Sequence, residues 1–563
     1  MPTIEVSKTD LCKLIGRPLT PKELEDAVLY AKCEIDSVGG DILKIDSKDT
    51  NRPDLWSAEG IAREIAGRMG NPGLPVYRTK KSDIKVIVDP KLKNIRPFTV
   101  CAAVKNLNIT EDVLSQMIQL QEKVSLTFGR NRREVAIGVY DLHKITPPIR
   151  FTTTTPEGIR FVPLEFTREM TPREILQIHP KGREFAHLLD GAKEYPVFID
   201  NADEVLSMPP IINSEYTGKV TEHTRDVFIE CSGFNLKFLL PALNVIVSAL
   251  ADRGGEIETV DVLLPGGKRL VTPDLKPKKT KISLDFINKV SGLSLSPEQA
   301  KRLLEQARYE VKTRGRKFDL QYPAYRQDIM HMRDIAEDVI ISYGYNRITP
   351  EPLKIATRGE ADKIEVFSEK CAELMIGFGY QEILSHILTN KNHLFKRMLL
   401  PEENTAEIEN YVSENWNVFR NWLIPSLMEF LSRNRNQEYP QKVFEIGDCV
   451  LIDVKRETRT RDVRKLALAL ADTRVGYEDV SGVLESFLSS LGAAFFLKPE
   501  SHPSFIPGRC AGIVIRGKKI GIIGEIHPQV LENWNIDKPV AGFELDMDQI
   551  FTAICSTPMN RQK

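Results

Sequence analysis

Two breaks rich in proline and glycine constrain this chain most: Asn71-Pro72-Gly73-Leu74-Pro75, and Pro265-Gly266-Gly267 followed by the basic run Lys276–Lys281. Proline locks φ and glycine frees it, so neither break continues a helix or a central strand. At 563 residues the chain is also too long for a single hydrophobic core. The sequence therefore divides into four expected regions, 1–80, 81–265, 266–350 and 356–563. Its apolar share of 42% and charged share of 28% are those of an ordinary globular protein. A net charge of −1 means that a polyanionic partner must be met by local basic patches. No run of 18 apolar residues exists, and no charged head with an apolar core opens the chain. Eight scattered cysteines without a CxxC pair argue against zinc. These features place the protein in the cytoplasm, with no membrane partner.

The expected architecture is multidomain α+β. Residues 1–80 read as an N-terminal α/β module, in which the capping box Thr20-Pro21-Lys22-Glu23 launches a helix. The polar stretch from Asp46 then feeds a second helix, Ser57–Met69. Residues 81–265 alternate strands (Thr99–Val104, Glu134–Tyr140, Val227–Glu230) with helices (Val113–Phe128, Leu240–Arg253), an α/β domain. Its loop Pro209–Ser214 is either a pocket rim or a hydrated surface loop. In residues 266–350 a second box, Ser296-Pro297-Glu298-Gln299, opens a helix that precedes a hairpin and another helix, a winged-helix-like module. Residues 356–563 carry at least five strands and few long helices, hence a largely antiparallel sheet, with a helix Phe419–Asn434 interrupted by Pro425. The mixed-charge tract Lys455–Lys465 reads as an exposed hairpin tip.

The densest cluster of chemistry is Tyr322–Tyr345. Asp334, Glu337 and Asp338 fall at i, i+3 and i+4 on one helix face, and Asp328 lies just upstream. Four converging carboxylates suit a hard cation such as Mg²⁺. Acids in a first helical turn also simply complement the helix dipole, so the residues alone leave both readings open.

The chain resembles the β-subunits of phenylalanyl-tRNA synthetases, of the shorter archaeal and eukaryotic kind. The likeness is carried by Asp49–Gly60, Ser207-Met-Pro-Pro-Ile-Ile-Asn213, Tyr322–Tyr345, Phe444-Glu-Ile-Gly447, Pro507-Gly-Arg-Cys510 and Gly524-Glu-Ile-His-Pro528, in that order. The resemblance implies magnesium at Asp328, Asp334, Glu337 and Asp338. It implies a partner α-subunit in an α₂β₂ heterotetramer, which binds ATP and phenylalanine and charges tRNA(Phe). It further implies that residues 356–563 form a class II synthetase-like domain without catalytic motifs, since Gly542–Gln549 lacks the arginine expected there. The middle region would be an editing-type domain that hydrolyses mischarged Tyr-tRNA(Phe), with Ser207, Glu230 and Ser232 as its candidates. Relatives of the family carry Asp and Thr at the last two positions. Arg130, Arg132, Arg133, Lys181 and Arg183 are candidates to guide the tRNA 3′ end, or a plain solvated basic turn. The alternative is a non-editing scaffold that binds tRNA in the same complex.

Overall fold

The computed structural model describes residues 2–353, 355 and 357–555. It separates into two units, Met1–Pro352 and Leu353–Lys563.

The first unit opens with β1 (Thr3–Ser7), α1 (Lys8–Ile15), α2 (Pro21–Val28), β2 (Cys33–Gly39), β3 (Ile42–Ser47) and α3 (Ala58–Arg68). Ser7 caps α1, and Gly16 stops it in a left-handed conformation that needs no Cβ. Thr20 and Glu23 form the reciprocal capping box of α2, with Pro21 in the first turn. In the sheet, β3 lies between β1 and β2 and runs antiparallel to both.

The middle of this unit holds β4 (Thr79–Val88), β5 (Phe98–Lys105), α4 (Glu111–Lys123), β6 (Ala136–Asp141), β7 (Ile149–Thr154), α5 (Pro172–Ile178), α6 (Pro180–Phe185) and β8 (Tyr195–Ile199). It continues through β9 (Val205–Met208), β10 (Ile212–Asn213), α7 (Glu215–Gly218), β11 (Val227–Gly233), α8 (Leu236–Asp252), β12 (Glu256–Leu263) and β13 (Arg269–Thr272). The strands form one sheet of order β10-β9-β8-β7-β4-β12-β5-β11-β6, with β13 beside β12. Among the ladders of this sheet only β4–β12 and β4–β7 are parallel. The α/β expectation for this region is therefore corrected: adjoining strands mostly run in opposite senses, without the helical crossovers that parallel pairs require. The sheet also runs to Thr272, past the boundary expected at 265.

Then follow β14 (Lys278–Ser283), α9 (Leu284–Ser291), α10 (Pro297–Gln306), β15 (Glu310–Arg314), β16 (Lys317–Tyr322) and α11 (Met332–Tyr343). The module expected to be winged-helix-like repeats the first one, element by element. It has the same order of strands and helices, and the same antiparallel sheet with its last strand, β16, in the centre. The punctuation repeats as well. Ser283 caps α9 as Ser7 caps α1, Gly292 ends it in the left-handed region as Gly16 does, and Ser296-Pro297-Glu298-Gln299 forms the second capping box.

The second unit is built on a seven-stranded sheet of order β17-β20-β21-β25-β24-β23-β22. Its elements are α12 (Lys363–Gly377), β17 (Gln381–Glu382), the pair β18 (Leu388–Thr389) and β19 (Val418–Phe419), α13 (Ile424–Arg433), β20 (Gln441–Ile452) and β21 (Thr460–Ala471). After these come α14 (Tyr477–Ser490), β22 (Phe496–Pro499), β23 (Phe505–Ile515), β24 (Lys518–Ile526), α15 (Pro528–Asn533), β25 (Val540–Asp546) and α16 (Met547–Cys555). Apart from β17–β20 the ladders are antiparallel. One apolar cluster joins the sheet to α12, α14 and α16, and another joins it to α13 and α15. Pro425 does not interrupt a helix; it stands in the first turn of α13, where its missing N–H costs nothing. Arg461–Lys465 belong to β21, so only the residues between β20 and β21 form the hairpin tip. Among the described residues no helix is long and apolar enough to cross a membrane.

Candidate functional site

The acids of the Tyr322–Tyr345 stretch do not converge. Asp328 is buried and takes a bidentate pair from Arg326, Nε to Oδ1 at 2.8 Å and Nη2 to Oδ2 at 2.5 Å. Asp338 is buried too, accepting from Arg326 Nη2 at 2.9 Å and from the Tyr309 hydroxyl at 2.7 Å. Asp334 turns back on its own helix and accepts the N–H groups of Met330 and His331 at 2.8 and 2.6 Å. Glu337 points outward and pairs with Lys32 at 3.1 Å. Among the described residues no three His, Cys, Asp or Glu side chains are placed to hold a metal ion. The residues present do not fit the expected magnesium ion, because guanidinium groups already hold the two buried carboxylates.

The first module shows that this pairing is architectural. Arg52 forms the same bidentate contact with Asp54, 2.8 and 2.7 Å, and reaches Glu64 on α3 at 3.0 Å. Arg326, Asp328 and Asp338 thus repeat Arg52, Asp54 and Glu64, and Arg52 Nε approaches Asp328 at 3.7 Å, so the two clamps meet. The surrounding arginines hold Asp328 down at about 2 and Glu64 lower still, against the opposing effect of burial.

The editing candidates lie on the ten-stranded sheet. Ser207 on β9 and Glu230 on β11 are both buried and line one cavity of about 100 Å³, together with Ser125, Arg132, Pro209 and Asn213. The loop Pro209–Ser214 is its rim. Glu230 is flanked in register by Cys101 on β5 and Gly138 on β6. Its Oε1 meets the Tyr140 hydroxyl at 3.2 Å, whereas its buried Oε2 has no hydrogen-bond partner. Burial pushes this carboxyl up to about 8, against the pull of Arg96 and of the Tyr140 and Ser232 hydroxyls. An acid with such a value is mostly neutral at pH 7 and able to donate a hydrogen bond.

Ser232 is not part of the cavity lining. It shares the Glu230 face by alternation, but Arg96 donates to its Oγ at 3.0 Å and its carbonyl at 2.5 Å, and also to the carbonyls of Arg132 and Arg133. Cys231 points to the opposite face, into the apolar core. Of the expected basic group, Arg132 reaches the cavity. It donates to the carbonyls of Pro210 and Ile211 at 3.2 and 2.8 Å and lies over the Phe185 ring, while Arg130 and Arg133 are exposed. Lys181 pairs with Glu122 and Glu184. Arg130, Asn131 and Arg132 are consecutive left-handed residues, a strained turn held by Arg96. Sequence reasoning missed Arg96 and Tyr140. Gly138, a glycine inside a strand two residues before Tyr140, was the available signal of a close approach.

Comparison with known proteins matches three family models to the chain: the B3/4 domain at residues 84–240, the tRNA synthetase B5 domain at 280–345, and the phenylalanyl tRNA synthetase β-chain CLM domain at 348–547. The phenylalanine–tRNA ligase β-subunit of Pyrococcus abyssi is 51% identical over 98% of this chain and 100% of its own length. The chain belongs to the phenylalanine–tRNA ligase β-subunit family. The β-subunit of Korarchaeum cryptofilum is 40% identical over 97% of this chain and 98% of its own. A crystal structure of an N-terminal fragment of the phenylalanyl-tRNA synthetase β-subunit from Pyrococcus horikoshii is 54% identical, with a TM-score of 0.60, and covers 61% of this chain and all of that one. Within this β-subunit family chain, the cavity lies in the B3/4 match and the acidic helix in the B5 match.

Proposed function

We propose that this chain is the β-subunit of a phenylalanine–tRNA ligase that works with an α-subunit, in an α₂β₂ heterotetramer, to attach phenylalanine to tRNA(Phe). In this reading ATP belongs to the aminoacylation centre on the α-subunit, and the complex works in the cytoplasm. The second unit of this chain is a catalytic-core-like domain without the chemistry. At Gly542–Gln549, where the resemblance calls for an arginine, Glu544 is buried. It pairs with Lys465 at 2.7 Å and accepts the N–H groups of Leu423 and Ile424.

The middle domain is proposed to proofread, hydrolysing Tyr-tRNA(Phe). The observation that carries this is Glu230 Oε2, a buried carboxyl oxygen without a partner on the wall of a cavity shared with Ser207. Tyrosine differs from phenylalanine by one hydroxyl, and an apolar pocket rejects such an addition only about a hundredfold. An unpaired buried acid reverses that preference, because only a substrate hydroxyl relieves the cost of leaving it unsatisfied. Since the carboxyl is mostly neutral, no charge has to be buried with the substrate. Hydrolysis then breaks the bond between the tyrosyl carbonyl carbon and the ribose oxygen. Water supplies the new carboxyl oxygen and a proton for the leaving hydroxyl, and Ser207 is the hydroxyl that orients it.

The test is deacylation of Tyr-tRNA(Phe) by the reconstituted two-subunit enzyme, comparing the wild type with Ser207→Ala and Glu230→Ala. Rapid hydrolysis that either change abolishes supports proofreading here. A wild type that charges phenylalanine but leaves Tyr-tRNA(Phe) intact makes the chain a non-editing scaffold.

A further inference from the structure

Tyr140 stands outside the expected editing set, yet the polar groups of the cavity meet at its hydroxyl. That oxygen lies 2.8 Å from Ser207 Oγ, 3.2 Å from Glu230 Oε1 and 3.4 Å from Asn213 Oδ1. Tyr140 sits on β6, one end of the ten-stranded sheet, and Ser207 and Asn213 sit on β9 and β10 at the other, so the contact closes the sheet on itself. The ring is fully buried and tilted against Phe228. It crosses Gly138, whose φ is not left-handed. A Cβ at Gly138 would overlap the Tyr140 hydroxyl and ring carbons, so the space, not the backbone, calls for glycine there.

One hydroxyl carries one proton and cannot donate to three neighbours. With the Glu230 carboxyl protonated, a one-way chain satisfies the geometry. Glu230 donates to Tyr140, Tyr140 donates to Ser207, and the Ser207 proton is left to point into the cavity. With Glu230 ionised, the Tyr140 proton turns to the carboxylate and Ser207 loses its donor. We propose that Tyr140 is a positioning residue of the proofreading site, which passes the protonation state of Glu230 to Ser207 and so sets where the Ser207 hydroxyl donates. This rests on the proofreading reading and deepens it. The charged and titratable groups packed against Glu230 are Arg96 before β5, Cys101 on β5, Tyr140 on β6 and Cys231 on its own strand, and the cavity it lines also carries Arg132 and Glu122. Burial raises both thiols and the phenol and brings Arg96 down only to about 10, so Glu230 is the member of this group that titrates near neutrality.

The experiment measures kcat and KM for Tyr-tRNA(Phe) deacylation by the reconstituted enzyme from neutral to alkaline pH. It compares wild type, Tyr140→Phe, Ser207→Ala and the double variant. The wild type should lose rate as pH rises through about 8. Tyr140→Phe should lower kcat about tenfold to a hundredfold with KM nearly unchanged, and should abolish that alkaline fall. Added to Ser207→Ala, it should cost almost nothing more, because it acts through the serine. Wild-type kcat with the alkaline fall retained, or a fully additive double variant, overturns the proposal alone. No hydrolysis by a wild type that still charges phenylalanine overturns the proofreading reading with it. Should Tyr140→Phe lose phenylalanine charging through misfolding, Gly138→Ala, which keeps the phenol and displaces its hydroxyl, is read by the same criteria.

Discussion

The molecule buries carboxyl groups in two very different ways. In the twin modules each buried acid is gripped by arginine: Asp54 and Glu64 by Arg52, Asp328 and Asp338 by Arg326. In the middle domain Glu230 has a hydroxyl on one oxygen and nothing on the other. Both oxygens of Asp54, Glu64 and Asp328 accept from guanidinium groups, and Asp338 accepts from Arg326 and Tyr309 through its Oδ2. The uncompensated acid is neutral and open to a visitor. Burial alone therefore does not mark a functional acid; what matters is whether the fold has already satisfied it.

The largest effect that could break this contrast is on stability. Asp338→Ala leaves Arg326 buried without one of its two acids and should cost about 3–5 kcal/mol in chemical denaturation of the chain, with Glu64→Ala similar in the twin. A cost below about 1 kcal/mol for both would show that the clamps are not structural. Glu230→Gln, by contrast, should raise stability near neutral pH, where ionisation of the unfolded chain's glutamate opposes folding, while deacylation falls at least about tenfold.

Acid and alkali should separate the two classes next. Asp328 is held at about 2 against an ordinary 3.8, so its contribution is present above pH 3.8 and lost as pH falls through 2. Glu230 is raised from 4.5 to about 8, so the fold holds a proton that the unfolded chain releases. The stability tied to that proton is complete below pH 4.5 and is lost as pH rises through 8. Melting curves against pH should show Asp328→Asn flattening the acid side and Glu230→Gln flattening the fall between pH 4.5 and 8. The smallest effects belong to the two outer acids. Asp334→Ala should cost about 1 kcal/mol as a lost cap, and Glu337→Ala about 0.5 kcal/mol or less as a surface pair. Millimolar magnesium should not raise the melting temperature of the isolated chain; a clear rise, lost in Asp334→Ala, would return the metal to the acidic helix.

Local chemistry was legible in the sequence where neighbours decide the outcome. The two capping boxes start helices at the expected residues, because the cap and its partner lie three positions apart. The acidic helix was legible as a helix, but the partners of its acids were not. Counting carboxylates overlooked Arg326, two residues before Asp328, which decides what those carboxylates do. The module repeat was likewise present in the chain, in Arg52-Pro-Asp54 and Arg326-Gln-Asp328 with an acid at Glu64 and Asp338. Its sequences have drifted enough to conceal it. At the cavity, alternation put Ser232 on the Glu230 face, but Arg96 from a distant segment claimed it, and Tyr140 reached Ser207 only because the sheet curls. Contacts between remote segments leave no periodic trace.

The repeat carries a hazard for the folding chain. Two modules with the same order of elements offer each other's helices a plausible dock, and misassembly between like units is a common failure of repetitive proteins. The buried faces of α2 and α10 answer it. Where α2 buries Leu24 and Ala27, the matching positions of α10 bury Ala300 and Leu303. Large and small side chains have changed places, so a helix docked in the wrong copy meets a gap where it offers little and a wall where it offers bulk. That exchange of volume works as an address, steering each helix to its own module while leaving the shared architecture intact.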